Sequence, residues 1–295
     1  MDGELFRELY HRLYSDPTLT HTRECTFPDA LILLIYFYAA MNNCSPRWAH
    51  DRRNWPLWCR HLAFPSYSQL MKRLAWERTQ TLIDRLNAEF RDRLPTSREK
   101  VCDGKPLTVG GFSKDPDARS GKIPDGWARG YKLHAVVDSL GPIDAFCVTA
   151  LDAGEATVAR RRLLAGLGKT DLRGSILRGD ANYDSNPLYR AAARYGGRLI
   201  APRRKPYTGL GHHRHHPHRL LAIAELEHGV DGLRRHKRHR NRVEQSFAHL
   251  TNLSFGLWAL PNFVRRLSRV TLWTKAKIAL YHFHLARSLG TTLAA

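Results

Sequence analysis

The chain has 295 residues, and an ordinary hydrophobic content is combined with a large excess of basic side chains. Forty-seven Lys and Arg residues stand against 27 Asp and Glu residues, which gives a formal net charge of +20 at pH 7. The length predicts two domains. Because the charge is spread along the whole chain rather than confined to one amphipathic helix, it indicates nucleic acid rather than a membrane surface as the partner.

Cysteine usage and hydropathy argue against two further classes of protein. The five cysteines are widely spaced and form no Cys-x-x-Cys motif, so neither a disulfide framework nor a zinc ribbon is indicated. The longest apolar run, residues 30–41, is shorter than the roughly 20 residues of a membrane span. We interpret it as a buried core helix that Asp29 can cap, and we expect a cytoplasmic protein without membrane association.

Residues 1–95 show helical patterning throughout. Pro65 interrupts the pattern, and Ser66 or Ser68 is placed to cap the helix that follows. The polar face of this helix is either an ordinary solvated surface or an element that reads base edges in a major groove. The candidate readers on that face are Gln69, Lys72 and Arg73.

After residue 95 the composition becomes turn-rich, and strands begin to alternate with helices. We predict a short strand ending at Asp103-Gly104, then strands over 131–138, 143–149, 174–179 and 198–201, with helices over 155–167 and 186–195. The first three strands favour antiparallel pairing, and strands separated by helices favour parallel pairing. The sequence therefore predicts an α/β domain with a mixed sheet over residues 96–295, after an all-helical domain over residues 1–95.

Residues 202–219 form a basic and irregular stretch that contains five histidines. A histidine-rich tract is one interpretation, because such tracts bind metal ions. The interleaved Arg214 and Pro217 fit better with a mobile loop that contacts phosphates. We keep the second interpretation as the expectation.

Three acids form a pattern that none of them shows alone. Asp103 precedes a glycine, as turn residues do, and Asp180 follows an apolar strand, as helix caps do. Glu244 has Arg240 four residues earlier, as in an ordinary helix ion pair. Asp103 ends the first predicted strand, Asp180 ends the next parallel strand, and Glu244 lies on a later helix. A ribonuclease-H-like mixed sheet flanked by helices brings those positions side by side.

Three neighbouring carboxylates raise one another's pKa unless a cation lies between them. Mg²⁺ prefers oxygen ligands and retains water, so acids suit it better than histidines. Two ions about 4 Å apart activate a water or a 3′-hydroxyl and stabilise the leaving oxygen of a phosphoryl displacement. We expect Asp103, Asp180 and Glu244 to bind two Mg²⁺ ions, for which Mn²⁺ can substitute.

Four sequence blocks carry a family resemblance. They are 101–104 (VCDG), 130–142 (GYKLHAVVDSLGP), 179–184 (GDANYD) and 240–247 (RNRVEQSF). Through them residues 99–260 resemble the catalytic domain of the DDE transposases of bacterial insertion sequences, specifically the large four/five group. Residues 64–74 resemble the N-terminal region of that group more weakly. The chain departs from the group's signature at Lys237 and Thr251, where the group has Tyr and Lys, and at Asn182, where Gly is frequent.

The resemblance implies a metal-dependent polynucleotidyl transferase that cleaves the ends of its element and joins them to target DNA. It implies double-stranded DNA as partner, a homodimer on that DNA, and a place at the bacterial nucleoid. The side chains expected to contact phosphates are Arg240, Arg242, Lys132, His134, Tyr183, Arg203 and Arg204.

Two other functions remain open at this point. One is an inactive, transposase-derived DNA-binding protein that keeps the charge but does not cut. The other is a ribonuclease-H-like nuclease, such as a junction resolvase, that uses the same metals without strand transfer. The presence of all three acids argues against the first, and the helical N-terminal domain argues against the second.

Overall fold

A computed structural model describes residues 3–20, 25–167, 172–211 and 214–290. The chain divides into two compact units, residues 1–94 together with 250–295, and residues 95–249. The predicted catalytic domain over 96–295 differs from this division at its C-terminal end and stays a prediction. Residues from 250 onward belong to the first unit, since their apolar side chains are buried with those of the N-terminal helices.

The first unit is helical in its described parts. Its helices are α1 (Gly3–Tyr14), α2 (Pro17–Thr20), α3 (Asp29–Met41), α4 (Pro46–His50), α5 (Tyr67–Ala75), α6 (Glu77–Asp92) and, from the C-terminal segment, α12 (Leu267–Ser288). Every residue of α3 is buried, as its apolar sequence predicts, and α1, α4, α5, α6 and α12 all contact it. Among the described helices, none is both long and apolar enough to cross a membrane.

The first turn of α3 differs from the expectation. Asp29 does not cap the helix, because Pro28 occupies the N-cap position and no side chain caps there. Asp29 instead forms a buried ion pair with Arg73 and a second one, 2.8 Å long, with the guanidinium of Arg78. Arg73 also donates to Phe27 O at 3.1 Å. The prediction that Arg73 reads DNA bases is corrected, since its guanidinium is buried and already bound.

Helix α5 begins with a capping box. Ser66 Oγ accepts a hydrogen bond from Gln69 N–H, and Gln69 Oε1 accepts one from Ser66 N–H at 2.9 Å. The predicted cap at Ser66 is confirmed. Gln69 is exposed, but its amide oxygen is engaged in the cap, whereas Lys72 is exposed and free to contact a partner.

A buried lysine connects the C-terminal helix to the N-terminal helices of the first unit. Lys277 Nζ donates to Ala40 O at 2.6 Å, to Asn43 Oδ1 at 2.5 Å and to Phe255 O at 2.7 Å. It also lies 4.8 Å from the ring centroid of Trp273. Burial lowers the pKa of the Lys277 ammonium to about 7.

The second unit is built on a mixed sheet. Its strands are β1 (Glu99–Thr108), β2 (Arg119–Ile123), β3 (Gly126–Asp138), β4 (Ile143–Ala150), β5 (Ile176–Arg178) and β6 (Arg198–Ile200). The order is β2-β3-β1-β5-β6, and β4 also pairs with β3. Pairing is antiparallel among β1 to β4 and parallel for β1–β5 and β5–β6. The predicted mixed sheet is confirmed, and β2 is an addition to it.

Helices complete the second unit. They are α7 (Glu155–Val158), which continues through a π-helical turn (Ala159–Leu163) into α8 (Leu164–Leu167), then α9 (Asn186–Arg194), α10 (Pro217–Glu227) and α11 (Gly232–Asn252). One hydrophobic cluster unites the helices from α7 to α10 with the sheet, and its members include Val136, Leu163, Leu177, Tyr189 and Leu199. The cluster includes Cys102, which precedes Asp103, and Tyr183, which follows Asp180 by three residues.

We predict that Lys277→Met lowers the free energy of unfolding by roughly 3 kcal/mol, because three buried acceptors lose their donor. Unfolding restores the ordinary pKa of 10.5. Between about pH 7 and pH 10 the unfolded chain therefore binds more protons than the folded one, and the wild-type stability rises with pH. Urea unfolding followed by circular dichroism measures both effects.

The control for this experiment is Lys275→Met. Lys275 forms an ion pair with the half-exposed Asp84, so its replacement is expected to cost less than about 1 kcal/mol. Equal losses in the two variants, or a Lys277→Met protein that keeps the wild-type rise of stability with pH, would contradict the prediction.

Candidate active site

Asp103 lies in the middle of β1, just beyond the part of that strand that pairs with β5. β1 pairs with β5 only up to Val101, whereas its pairing with β3 continues to Thr108. The predicted strand end at Asp103-Gly104 is therefore wrong. The strand continues because β3 offers antiparallel partners from Asp138 to Gly130 for residues 100–108 of β1.

Asp180 follows β5 and begins a short 3-10 turn. Its carboxylate accepts hydrogen bonds from Asn182 N–H at 2.7 Å and from the Asn182 side-chain amide at 3.2 Å. Gly179 precedes it because a Cβ there would lie 2.7 Å from the buried ring of Tyr183. The glycine and the tyrosine together fix the direction in which the chain leaves β5.

The register of the sheet brings the two aspartates side by side. Val101 pairs with Arg178 in the parallel β1–β5 ladder. Asp103 lies two residues after Val101 on β1, and Asp180 lies two residues after Arg178, just beyond the end of β5. Because parallel neighbours advance in the same direction, the two carboxylates emerge at the same edge of the sheet.

Burial and mutual repulsion determine the charge state of these carboxyl groups. Burial raises the pKa of Asp103 to about 6, the Gly104 N–H and the Arg240 guanidinium oppose this rise, and Asp180 and Glu155 add to it. Burial also raises the pKa of Asp180, and Glu155 contributes in the same direction. Both aspartates therefore lie in a setting where a cation would favour ionisation.

Glu155 is a third carboxylate that the sequence analysis did not single out. It is the first residue of α7, and its Oε1 forms an ion pair with Lys132 Nζ at 2.9 Å. Its Oε2 is buried and has no hydrogen-bond partner in the described part of the chain. A Cβ at position 104 would lie 3.1 Å from Glu155 Oε1, so Gly104 provides the space. The available signal was an acid that starts the helix after β4.

Arg240 reaches the aspartates from α11. Its Nη2 lies 4.0 Å from Asp103 Oδ2, and its Nε is buried without a hydrogen-bond partner among the described residues. His236 on the same helix donates from Nε2 to Gly179 O at 3.1 Å. The helix is thus anchored beside the glycine that precedes Asp180.

Glu244, one turn after Arg240, is exposed on α11 and does not line the cleft that contains the aspartates. Within residues 3–20, 25–167, 172–211 and 214–290, no three His, Cys, Asp or Glu side chains are arranged to hold a metal ion. The structure brings together Asp103, Asp180 and Arg240 from the predicted site. The place of Glu244 as third ligand stays a prediction.

The aspartates open onto a cleft of about 870 Å³ within the second unit. Basic and polar groups share its walls with four acids, Asp103, Asp152, Glu155 and Asp180, and a tryptophan of the β2–β3 hairpin also lines it. The lining residues include Asp103, Asp180, Glu155, Lys132, Asn182, Arg204, Lys122 and Trp127. The cleft therefore combines cationic side chains that can bind a polyanion with carboxylates that can bind cations.

Two predicted phosphate contacts are corrected because the structure buries the side chains. His134 Nε2 is bonded to Thr149 Oγ1 at 2.9 Å, and burial lowers the pKa of the His134 imidazole to about 4. The ring is therefore neutral at pH 7 and out of reach of DNA. Tyr183 is fully buried against Gly179. Both side chains support the site instead of contacting phosphate.

The other side chains predicted to contact phosphates differ in their exposure and in the protein groups that they already bind. Arg204 is exposed and lines the cleft, and Lys132 lines it while paired with Glu155. Arg203 is engaged by Glu227 and by the carbonyl groups of the following loop. Arg242 is exposed and donates to Ser139 O at 3.3 Å.

The histidine tract is only partly described. Residues 212 and 213 lie outside the described residues, while His215 contacts Leu210 O at 2.7 Å through Nε2 and Arg219 at 2.6 Å through Nδ1. Its ring nitrogens thus have protein partners. In the described part of the tract the structure assembles no metal site.

The charges around Asp103 predict that two substitutions shift its pKa in opposite directions. Arg240→Met should raise the pKa of Asp103 above about 6, because it removes the guanidinium that lowers it. Glu155→Gln should lower the same pKa, because it removes a negative charge and frees the Lys132 ammonium. Carboxyl ¹³C chemical shifts of Asp103, recorded as a function of pH in metal-free protein, measure both changes.

The matched control is Asp152→Asn. Asp152 lines the same cleft but is exposed and is not among the groups that shift Asp103. It should leave the titration unchanged. Shifts of the same sign in the Arg240→Met and Glu155→Gln variants would show that the charges do not act as described.

One family comparison identifies the chain's relatives. The family described as "Transposase DDE domain" matches residues 95–281, which is more than half of the chain and includes Asp103, Asp180 and Glu244. No curated protein and no solved structure matches the chain. The family consists of DNA-acting enzymes of the nuclease and transferase type, which typically use divalent metal ions. On this match, the chain belongs to the transposase DDE domain family.

Proposed function

We propose that the chain is the transposase of a bacterial insertion sequence of the large four/five group. Its catalytic domain is of the ribonuclease-H-like type, it cleaves the ends of its element in double-stranded DNA, and it joins them to a target. The observation that carries this proposal is the pair Asp103 and Asp180, which the β1–β5 register brings to one edge of the sheet.

The donor set fits divalent metal ions in its chemistry. The raised pKa values of Asp103 and Asp180 reflect burial and like charge, and a bound cation relieves both. Carboxylate oxygens are the ligands that Mg²⁺ and Mn²⁺ prefer. Asp103 and Asp180 would hold the metal, and we keep Glu244 as the expected third ligand. Glu155 is the carboxylate that already lies beside them.

The protein groups around the metal ligands have distinct roles in this mechanism. Arg240, next to Asp103, braces the non-bridging oxygens of the scissile phosphate with its planar guanidinium. Lys132 and Arg204 attract the flanking phosphates into the cleft. Divalent ions, when bound, activate the attacking water or 3′-hydroxyl. Because cleavage and joining are both phosphodiester displacements, one site serves both steps without a covalent protein intermediate.

A second candidate is an inactive, transposase-derived DNA-binding protein. The observation that favours it is the exposed position of Glu244, outside the cleft with Asp103 and Asp180. A ribonuclease-H-like nuclease without strand transfer is the third candidate. Incubation with a pre-cut element end singles out the transposase, because only a transposase yields strand-transfer products, and cleavage of uncut DNA separates the nuclease from the inactive protein. Since a transposase brings two ends together, we also propose that it acts as a homodimer on DNA at the nucleoid.

Replacement of either aspartate tests the chemistry. Asp103→Asn or Asp180→Asn should reduce Mg²⁺-dependent cleavage by more than about 100-fold. Replacing a residue that only hydrogen-bonds to a metal ligand already lowers metal affinity or activity by about 10- to 100-fold. DNA binding should persist or strengthen slightly, since a negative charge is removed. Asp152→Asn is the control and should remain active. Cleavage that survives in Asp180→Asn would contradict the assignment of Asp180 as a metal ligand. Loss of cleavage in Glu244→Gln would indicate that Glu244 is the third ligand.

Salt dependence tests the role of the +20 charge. If about six phosphates are contacted, log K should fall with log salt concentration at a slope near −5. Arg204→Ala should reduce the slope by roughly 1, because this exposed side chain lines the cleft. Arg203→Ala should leave it nearly unchanged, because Glu227 already neutralises that guanidinium. An affinity independent of salt would show that the charge serves another purpose.

A further inference from the structure

Glu155 carries a carboxylate oxygen that the protein leaves without a hydrogen-bond donor. Its side chain is 14% exposed, and its Oε1 is paired with Lys132 Nζ at 2.9 Å. Its Oε2 is buried and accepts no hydrogen bond from the residues that the structure describes. A buried acceptor without a donor is destabilising, so it normally has a water molecule or a ligand beside it in the working protein.

The backbone around Glu155 fixes the position of this carboxylate. A Cβ at Gly104 would lie 3.1 Å from Glu155 Oε1 and 3.0 Å from Lys132 Cδ, so a side chain at position 104 would displace the ion pair. Helix α7, which Glu155 begins, contacts the short turn over Ala181–Tyr183 that follows Asp180. Glu155 is therefore held against both chain segments that carry the aspartates.

Glu155 acts on both aspartates by charge, although the three acids do not form a ready metal site. Its negative charge contributes to the raised pKa of Asp103 and to that of Asp180. In the ranges that the structure describes, however, no three His, Cys, Asp or Glu side chains are arranged to hold one ion directly. Glu155 is thus placed to influence a cation at the aspartates without the arrangement of a third direct ligand.

We propose that Glu155 is a positioning residue for a water molecule retained by a divalent ion at Asp103 and Asp180. In this arrangement Oε2 accepts a hydrogen bond from that water, while Lys132 holds Oε1. The inference rests on the proposed function, because it adds a residue to the proposed metal site. Mg²⁺ dehydrates reluctantly and usually keeps several waters, whose hydrogens are available to such an acceptor.

The ion pair with Lys132 argues against two other roles for the same carboxylate. A direct ligand would bring the Lys132 ammonium close to the divalent ion, and the two cations would repel each other. A contact with DNA is unfavourable as well, because a carboxylate repels phosphate. A donor without charge suits Oε2 better than either, and this role leaves the position of the third ligand to Glu244.

Mn²⁺ binding to the full chain without DNA tests the role, with the free ion measured by electron paramagnetic resonance. At pH 8, above the pKa of about 6 of Asp103, protons compete little with the metal. Glu155→Gln should weaken Mn²⁺ binding by about 10- to 100-fold, as the loss of a hydrogen bond to a metal ligand does. Glutamine keeps the size of the side chain but offers one oxygen in place of two.

Two control variants separate this role from a general effect of charge or packing. Asp152→Asn removes the same charge from an exposed position in the same cleft, and it should change the affinity by less than about threefold. Lys132→Met breaks the same ion pair but keeps the carboxylate, so it should bind Mn²⁺ at least as tightly as the wild type. A loss in Lys132→Met equal to that in Glu155→Gln would overturn the inference, because the ion pair alone would then be responsible.

The hydration number of bound Tb³⁺ distinguishes contact through water from direct coordination. It is obtained from luminescence lifetimes in H₂O and D₂O, at saturating Tb³⁺. Glu155→Gln should leave the number unchanged, because Glu155 gives no oxygen to the ion. Asp103→Asn should raise it by about one, since a water replaces the lost carboxylate ligand.

Two further results would overturn the inference and leave the proposed function standing. Wild-type Mn²⁺ affinity in Glu155→Gln would show that Oε2 plays no part in metal binding. A gain of one water on Tb³⁺ in Glu155→Gln would make Glu155 a direct ligand. A wild-type chain that binds neither ion would instead contradict the proposed function together with the inference, so the two failures are distinguishable.

Discussion

The parallel pairing of β1 with β5 is the constraint on which the site depends. It spans only residues 99–101 and 176–178, yet it determines that Asp103 and Asp180 emerge together. An ion pair secures the register, because the buried Arg178 donates from Nε to Glu99 Oε2 at 2.9 Å across the two strands. A slip of one residue would turn one carboxylate to the opposite face of the sheet and separate the pair.

Bringing two carboxylates to one edge has an electrostatic cost, and the surrounding groups offset part of it. The Gly104 N–H and the Arg240 guanidinium stabilise the ionised form of Asp103, whereas burial and neighbouring acids oppose it. Lys132 neutralises Glu155 in the same cleft. The remaining imbalance is a negative site within a basic protein, which is the condition under which a divalent cation binds while the rest of the surface attracts DNA.

Local patterns predicted most of this sheet, because alternation and turn residues act within a few positions. They located Asp180 and the strands around it, and the alternation of strands with helices predicted parallel pairing, which β1 and β5 show. They missed β2 and its Trp127, since a short polar strand has no apolar alternation. Glu155 was missed because its importance comes from Lys132 and the aspartates, which are distant in sequence. The return of α12 to the first unit depends on contacts such as Lys277 with Ala40, which no local pattern encodes.

The helix that carries Arg240 and Glu244 explains why only one of them lies at the aspartates. At a rise of about 1.5 Å per residue, four residues separate the two side chains by about 6 Å along the helix. Anchored through His236 at Gly179, α11 places the guanidinium beside Asp103 and leaves the carboxylate exposed. Without a metal this is the favourable arrangement, because the cation faces the acids. If Asp103 and Asp180 held divalent ions, the guanidinium would instead face the non-bridging oxygens of a phosphate bound there, which is the role proposed for Arg240.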